Sequence, residues 1–400
     1  MTGAAGTEGP AREAALSDPL DAACAPRARA VIDLRALRAN LRHARHRAPG
    51  SRVMAVVKAN AYGHGLLRVA HALGGGGRKG AGADAFGVAC MSEALALRAG
   101  GVGARVVLLE GVLDGAELEL AARRSFEIVV HHDEQVTLLE RAGGSVPPVR
   151  VWVKLDTGMH RLGFPPERAR ELHTRLAHCG AVHEVAWMTH LACADDRRSG
   201  VTPRQLERFR AALGDLPGER SVANSGGLLG WPETHFDWVR PGILLYGVSP
   251  FPGRGAAQER LRPVMTLQTR LIAVNALCKG DAVGYGGAWV CPEDMPVGVA
   301  AIGYGDGYPR HAGNDTPVLV NGRRAALIGR VSMDMISVDL RGHPEARAGA
   351  PVVLWGPDLP VEEIARHAGT IPYELLCAVS QRVAVVTRDD PVLVHVAPES

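Results

Sequence analysis

The chain has 400 residues, 46% of them hydrophobic, and a formal net charge of +3, which suits two domains of ordinary size. The weak charge and the lack of clustered basic and aromatic residues argue against a nucleic-acid partner, and no apolar run reaches membrane-spanning length. The seven cysteines are dispersed, without a CxxC pair. They predict reduced thiols, a cytoplasmic setting and no metal centre.

The N-terminal segment is rich in alanine, glycine, proline and charged residues, so residues 1–27 are predicted to be a disordered tail. Its early acidic residues and missing apolar core argue against a secretory signal. A helix is predicted to follow, because Asp33 suits an N-cap and Leu34, Leu37 and Leu41 repeat at helical spacing.

Short apolar runs then alternate with helical stretches such as 92–99 and 202–213. Eight runs read as strands: 53–58, 85–90, 106–111, 126–131, 149–156, 185–191, 221–225 and 238–247. This alternation predicts a (β/α)8 TIM barrel spanning residues 28–260.

Polar residues fall at or near the ends of five of these runs: Lys58, Lys154, Asp156, His190, Ser225 and Arg240. The carboxyl ends of the strands in such a barrel meet at one mouth, where active sites form. The clustering predicts an active site there.

The pattern changes beyond residue 260. Strand-like segments 264–274, 297–302, 317–320, 328–340, 351–355 and 382–386 are separated by glycine- and proline-rich turns, and one helix is predicted over 361–368. Residues 261–400 are therefore predicted to form a separate, mostly β domain.

Lys58 is one of only four lysines among 45 basic residues, and it ends the buried run 53–57. A primary amine at a strand end can form a Schiff base with an aldehyde such as pyridoxal phosphate. A lysine that snorkels to the surface is the alternative, and the spacing alone does not decide between them.

The motif around Lys58, Ala-Val-Val-Lys-Ala-Asn-Ala-Tyr-Gly-His-Gly at 55–65, resembles the cofactor site of the alanine racemases. Further matching blocks follow in order at 154–163, 189–192, 223–225, 239–247, 283–286, 302–308, 329–334 and 372–374. The resemblance covers nearly the whole chain from residue 30 and implies a pyridoxal-phosphate-dependent racemase.

The resemblance implies two catalytic bases, Lys58, which also carries the cofactor, and Tyr285 from the β domain. One base removes the Cα proton from one face of the substrate and the other returns a proton to the opposite face. Arg161 and His190 are expected to stabilise the Tyr285 phenolate and relay its proton. In the family this tyrosine comes from the partner subunit, so a homodimer with shared sites is expected.

The remaining site residues follow from the same resemblance. The expected phosphate ligands are the hydroxyls of Tyr62, Ser225 and Tyr373 and the backbone N–H groups of Gly242 and Ile243. Arg240 is expected to face the pyridine nitrogen. Because a guanidinium cannot accept a proton, the ring would stay neutral, which disfavours transamination.

The substrate carboxylate is expected to contact Arg161 and the Met333 backbone. The family pattern implies a narrow entrance lined by Tyr304, Arg310, Arg330, Asp334 and Tyr373. Lys154 is expected to be carbamylated and to hold Arg161, with an ion pair to Asp156 as the alternative.

The sequence departs from the family pattern at Ser332, where cysteine is common, at His160, where glycine or asparagine is usual, and at Ser221, where some members carry histidine. The expected reaction is interconversion of L- and D-alanine, supplying D-alanine for peptidoglycan. The alternatives are a broader racemase that also accepts serine, a related amino-acid decarboxylase and a non-enzymatic pyridoxal-phosphate carrier. Arg240 and the Tyr285 block argue against the decarboxylase, and the second domain argues against the carrier.

Overall fold

The computed structural model describes residues 27–74 and 82–389. The predicted disordered tail lies outside the described residues except for Arg27. Within the described ranges, no helix is both long and apolar enough to cross a membrane.

The first half of the chain builds a closed barrel. Its strands, preceded by β1 (Arg29–Asp33), are β2 (Arg52–Val56), β3 (Ala85–Val88), β4 (Arg105–Leu108), β5 (Phe126–Val130), β6 (Val149–Lys154), β7 (Val182–Met188), β8 (Arg220–Ser221) and β9 (Trp238–Val239). Strands β2 to β9 are parallel and pair in chain order until β9 meets β2. The predicted TIM barrel is confirmed.

Helices alternate with these strands. They are α1 (Leu34–Arg47), α2 (Leu66–Leu73), α3 (Met91–Ala99), α4 (Gly115–Arg123), α5 (Asp133–Ala142), α6 (Ala169–Ala177), α7 (Val201–Leu213) and α8 (Ser225–Gly230). Asp33 caps α1 as predicted, since one carboxylate oxygen accepts the N–H groups of Arg35 and Ala36, both at 2.9 Å.

Apolar side chains fill the centre of the barrel, including Met54, Val107, Trp152, Met188 and Trp238. Below them, at the amino ends of the strands, lies a charge network of Arg52, Arg105, Arg150, Glu127, Glu184 and Glu219, in which Arg150 and Glu127 are buried and the others are partly exposed. The indole N–H groups of Trp152 and Trp238 donate to Glu127 and Glu219 at 2.7 and 2.6 Å. This end of the barrel is therefore closed, and only the opposite mouth is open to a ligand.

The second domain is built around a mostly antiparallel sheet. Its strands are β10 (Met265–Leu277), β13 (Met295–Ala300), β14 (Pro317–Val320), β15 (Arg323–Ile328), β16 (Ile336–Asp339), β17 (Pro351–Trp355) and β18 (Ala384–Arg388), and the short strands β11 (Ala282–Val283) and β12 (Trp289–Val290) form a separate hairpin. Buried and exposed residues alternate along the first half of β10, the period expected of a sheet with one covered face. The predicted β domain is confirmed, with two helices, α9 (Val361–His367) and α10 (Pro372–Ala378).

Two predictions about this domain need correction. Residues 328–340 are not one strand, because β15 and β16 are joined by a turn that begins at Gly329, whose φ of +72° breaks the extended backbone. In addition, β1 belongs to this sheet rather than to the barrel, since it pairs with β10 and β18. The chain thus starts its described part in the second domain and then enters the barrel.

The two domains meet directly beside Lys58. Gly63 has a φ of +77°, and a Cβ atom at this residue would lie 2.1 Å from the carbonyl oxygen of Leu376 on α10. Only glycine allows this approach. The contact brings the turn after Lys58 against the helix that carries Tyr373.

Candidate active site

A cavity of about 1180 Å³ opens at the carboxyl ends of the barrel strands. Among the residues that line it are ten of those predicted from the sequence: Lys58, Tyr62, Lys154, Arg161, His190, Ser225, Arg240, Gly242, Ile243 and Tyr373. They come from five different strand ends and from α10. The carboxyl-end rule for parallel barrels therefore accounts for most of this arrangement.

The turn that follows Lys58 has an unusual backbone. Residues 59–62 all have φ between +52° and +54°, a left-handed turn that costs roughly 1–2 kcal/mol per residue for side chains other than glycine. Glu93 holds its start by accepting the N–H groups of Ala59 and Ala89 at 2.6 and 2.9 Å. Asn60 holds its end by accepting the N–H of Leu66 at 2.8 Å.

His64 and Tyr246 support the same turn from within the core. The buried His64 ring donates from Nδ1 to the carbonyl oxygen of Tyr62 at 2.7 Å, and burial lowers the pKa of this histidine to about 4. The rings of Tyr62 and Tyr246 stack with centroids 4.7 Å apart. The direction of the Tyr62 phenol is therefore fixed by packing rather than by solvent.

The phenol of Tyr62 and the hydroxyl of Ser225 converge on Gly242. The Ser225 oxygen accepts the N–H of Gly242 at 3.0 Å and that of Leu244 at 3.4 Å, which leaves its own hydrogen free to donate. A Cβ atom on Gly242 would lie 2.5 Å from the Tyr62 oxygen. The glycine thus keeps open a space bordered by two hydroxyl donors.

Arg240 lies at the base of the cavity and is buried. Its guanidinium donates to the Ser221 hydroxyl at 2.7 Å and to the backbone oxygen of Thr189 at 2.6 Å. Burial lowers its pKa to about 10. Ser221, one of the departures from the family pattern, therefore supports Arg240 directly through a neutral hydroxyl.

Lys154 lines the cavity together with several other basic side chains. Burial, then repulsion from Arg240, Arg161 and Lys58, lowers the pKa of Lys154 to about 8. Asp156 is largely engaged elsewhere, since one of its oxygens accepts three backbone N–H groups from residues 158–160, each at 3.0 Å. The lysine thus has a substantial neutral fraction near neutral pH.

His160 has a φ of +55°, which explains why glycine or asparagine is usual there. Its ring nitrogen Nδ1 lies 3.1 Å from the second oxygen of Asp156, and the side chain is otherwise exposed. His160 thus combines a strained backbone with a side-chain contact to Asp156 that glycine could not make. Arg161, the next residue, is exposed at the rim of the cavity.

His190 follows β7, deep in the cavity. Burial lowers its pKa well below the ordinary value, and the charges of Arg240, Lys154 and Arg161 lower it further. The imidazole is therefore neutral at pH 7, and a neutral ring can accept a proton from one group and donate one to another.

The other predicted site residues do not line this cavity. Tyr285, Tyr304, Arg310, Arg330, Met333 and Asp334 lie on loops of the second domain. Tyr285 is 69% exposed in the turn between β11 and β12, and Met333 is 53% exposed. We call these six residues the entrance surface.

The entrance surface is ordered by contacts within its own domain. Tyr304 donates its N–H to the Ser332 carbonyl at 3.0 Å, and Gly305 donates to the Met333 carbonyl at 2.9 Å. Arg382 bridges Asp334 at 2.6 Å and Asp306 at 3.4 Å. The loops around residues 304 and 333 therefore form one unit.

Sequence reasoning missed several residues of the site. Asp195, Ile371 and Cys377 line the cavity, Glu93 holds the turn after Lys58, and Gln205 bridges two of the active loops. Asp195 lies close behind the 189–192 block and Ile371 just before the 372–374 block, so a wider window around the motifs would have found them. Glu93 and Gln205 lie in predicted helices, and nothing in the sequence distinguishes them from ordinary polar residues on a helix surface.

Two family models match the chain: the alanine racemase N-terminal domain over residues 32–250 and the alanine racemase C-terminal domain over residues 264–387. An alanine racemase of Nitrosococcus oceani is 56% identical over 357 residues, which are 88% of this chain and 97% of that protein. The biosynthetic alanine racemase of Escherichia coli is 51% identical over 357 residues, 89% of this chain and 97% of that protein.

Solved structures agree with these relatives. The biosynthetic alanine racemase of Pseudomonas aeruginosa superimposes with a TM-score of 0.87 at 45% identity, covering 91% of this chain and all of that one. An alanine racemase of Bartonella henselae, solved with covalently bound pyridoxal phosphate, has a TM-score of 0.81 at 31% identity, with 91% and 100% coverage. With both domain models matched and relatives above half identity, the chain belongs to the alanine racemase family of isomerases.

Proposed function

We propose that this protein interconverts L- and D-alanine with pyridoxal phosphate, using Lys58 and Tyr285 as the two bases. The observation that carries the proposal is the division of the site between two domains. Lys58 lies in a cavity rich in cations and hydroxyl groups, whereas Tyr285 is displayed on the surface of the other domain.

The residues present fit pyridoxal phosphate. The space kept open by Gly242 is bordered by the Tyr62 phenol and the Ser225 hydroxyl, which suit a phosphate. Arg240 is a buried cation whose hydrogen bonds all go to neutral acceptors, so it can face the neutral pyridine nitrogen. When bound through Lys58, the cofactor supplies an electron sink that makes the substrate Cα proton acidic.

The two bases then divide the proton transfers. Tyr285 takes the Cα proton from L-alanine and the Lys58 amine supplies one on the opposite face, with the roles exchanged for D-alanine. Arg161 stabilises the phenolate, and the neutral His190 relays its proton. Arg161 and the Met333 backbone hold the substrate carboxylate.

Because Tyr285 and the rest of the entrance surface do not line the cavity of their own chain, we propose that each cavity is completed by a second copy. The exposed apolar residues of the second domain support this, since Tyr285, Val290, Tyr304, Met333 and Met335 are all more than 40% exposed. Large exposed apolar side chains grouped on one domain are typical of an interface. The proposed assembly is a homodimer with two shared sites.

We place the enzyme in the cytoplasm, where D-alanine is supplied for peptidoglycan. The six cysteines of the described residues are free thiols, which is typical of a reducing compartment. Alanine is the proposed substrate, and serine is the second candidate, because a clamp on the carboxylate does not distinguish one small side chain from another.

The direct test is racemisation by the purified holoenzyme, followed by circular dichroism for L- and D-alanine and for serine. Tyr285→Phe should lower kcat about 10²- to 10⁴-fold, the contribution typical of a positioned base, while cofactor binding persists. The matched control is Tyr308→Phe. The Tyr308 hydroxyl is buried without a hydrogen-bond partner, so its removal should leave kcat within about twofold. Unchanged turnover of Tyr285→Phe would remove this residue from the mechanism.

A further inference from the structure

Gln205, on α7, is a buried side chain behind the loop of His190 and Ala192 that lines the cavity, with 1% of its surface exposed. Its amide oxygen accepts the N–H of Ala192 at 2.9 Å. Its amide nitrogen donates to the carbonyl oxygen of His190 at 3.0 Å and to the hydroxyl of Thr157 at 3.2 Å. Both N–H groups and the oxygen of the Gln205 amide therefore form hydrogen bonds.

The contacts of Gln205 join two neighbouring loops. Thr157 belongs to the turn after β6, four residues before Arg161, and His190 belongs to the loop after β7. No backbone hydrogen bond is formed directly between residues 157–161 and residues 190–192 in the described structure. The Gln205 amide therefore supplies a link that the backbone does not.

The hydrogen-bond chain continues to the base of the cavity. The Thr157 and Thr189 hydroxyls lie 2.8 Å apart, and the Thr189 carbonyl accepts from Arg240 at 2.6 Å. Arg208, one turn along α7 from Gln205, donates to the Thr157 carbonyl at 3.3 Å. The face of α7 that packs on the barrel thus contacts the turn before Arg161 and the loop of His190. Through Thr157 and Thr189, it is also connected to Arg240.

We propose that Gln205 is a positioning residue of the reaction: it sets the distance between the Arg161 turn and the His190 loop, and so prepares the two groups that serve Tyr285. The inference rests on the proposed function, because it assigns Gln205 to the tyrosine side of the two-base reaction. Lys58 is held by a different set of contacts, through Glu93 and Asn60.

This assignment predicts a defect in the proton transfer by Tyr285 and not in the proton transfer by Lys58. In Gln205→Met the side chain keeps its length but loses every hydrogen bond, so the Arg161 and His190 groups lose their fixed spacing. We expect kcat to fall about 10- to 100-fold, the effect of misplacing a catalytic group by roughly 1 Å, with a smaller change in KM and with the visible absorbance of bound cofactor retained.

Isotope effects distinguish positioning from a general loss of structure. If the tyrosine-dependent step is slowed, the primary isotope effect on kcat/KM for L-alanine deuterated at Cα should rise, and that for D-alanine deuterated at Cα should fall. Because a defect in folding alone lowers the amount of active enzyme, it would leave both isotope effects unchanged.

The matched control is Gln135→Met. Gln135, on α5, is also buried, and it links the loops after β4 and β5 through Val112 and His131 at 3.2 and 2.8 Å. It does not contact the Arg161 turn or the His190 loop. We expect it to lose thermal stability while kcat and both isotope effects stay close to those of the unmodified enzyme.

A second variant covers the case in which Gln205→Met fails to fold. Gln205→Glu keeps the acceptor for Ala192 but turns a carboxylate oxygen toward the His190 carbonyl, and protonation restores one donor. Its activity relative to the unmodified enzyme should therefore increase as the pH is lowered. A constant ratio across pH would contradict the role of the amide donors.

Hydrogen exchange of the cofactor-loaded proteins supplies a readout independent of turnover. Peptides covering 156–162 and 189–192 should exchange faster in Gln205→Met than in Gln135→Met. Unchanged exchange together with unchanged isotope effects would overturn the inference. Failure of the unmodified enzyme to racemise alanine would instead contradict the proposed function, and the exchange comparison would still decide whether Gln205 couples the two loops.

Discussion

Lys154 illustrates how single side chains in the cavity are tuned by their neighbours. With a pKa lowered to about 8 by burial and by nearby cations, about a tenth of this lysine is neutral at pH 7, against less than about one in a thousand for an ordinary lysine. Because CO2 adds only to a neutral amine, the lowered pKa favours the predicted carbamylation.

We therefore expect a carbamate resonance in the ¹³C NMR spectrum of the enzyme equilibrated with labelled bicarbonate. The amine loses its proton as pH rises through about 8, so the signal should grow between pH 7 and 9 and weaken below pH 7. It should be absent from Lys154→Arg and present in Lys279→Arg, since Lys279 is exposed in the second domain. A signal that survives in Lys154→Arg would place the carbamate elsewhere.

The sequence predicted those site residues that follow a strand, because parallel strands of a closed barrel bring their carboxyl ends to one mouth. It did not predict Gln205 or Glu93. Both lie on helices, where a polar residue is more often exposed to solvent. Their burial depends on how each helix packs on the barrel, which is a long-range property.

At the scale of elements, the left-handed turn at 59–62 connects Lys58 to the domain interface. Gly63 ends this turn at a φ of +77°, against the backbone of α10. These residues belong to the motif identified in the sequence, but local propensities do not predict their conformation. Four successive non-glycine residues in the left-handed region are held there by tertiary contacts.

Gly63→Ala should therefore destabilise the protein and weaken cofactor binding together. The added methyl group requires the turn and α10 to separate, and we expect a loss of about 2 kcal/mol or more in the free energy of unfolding, measured with urea. Gly50→Ala is the control. A Cβ atom at this exposed glycine meets nothing within 4 Å, so its effect should stay within about 0.5 kcal/mol. Equal stabilities of the two variants would contradict the close contact.

Both corrections to the predicted elements concern turns or pairings that the local sequence does not determine. The apolar pattern from 328 to 340 resembles one strand, but the backbone turns at Gly329, and Arg330 and Met333 in the loop that follows are exposed. Residues 29–33 fall within the range predicted for the barrel, whereas β1 pairs with β10 and β18, whose residues are more than 230 positions away in the chain. Such pairings are set by tertiary structure rather than by local sequence.

At the scale of the whole molecule, the chain carries the cavity with Lys58 in one domain and the entrance surface in the other. The barrel supplies Lys58, Arg161, His190 and Arg240, and the second domain supplies Tyr285 and Met333. The fold class was predictable from alternating strands and helices followed by a β-rich segment. The proposed second copy was expected from the family resemblance alone, because no composition or periodicity indicates which chain a loop completes.

The central claim is that one active site draws Lys58 from one chain and Tyr285 from another. The most direct measurement is subunit exchange between two inactive variants, Lys58→Ala and Tyr285→Phe, followed by alanine racemisation. Random exchange makes half of the dimers mixed, and each mixed dimer contains one site with both bases, so activity should recover to about a quarter of that of the unmodified enzyme. No recovery, with mixed dimers demonstrated by mass spectrometry, would contradict the shared site.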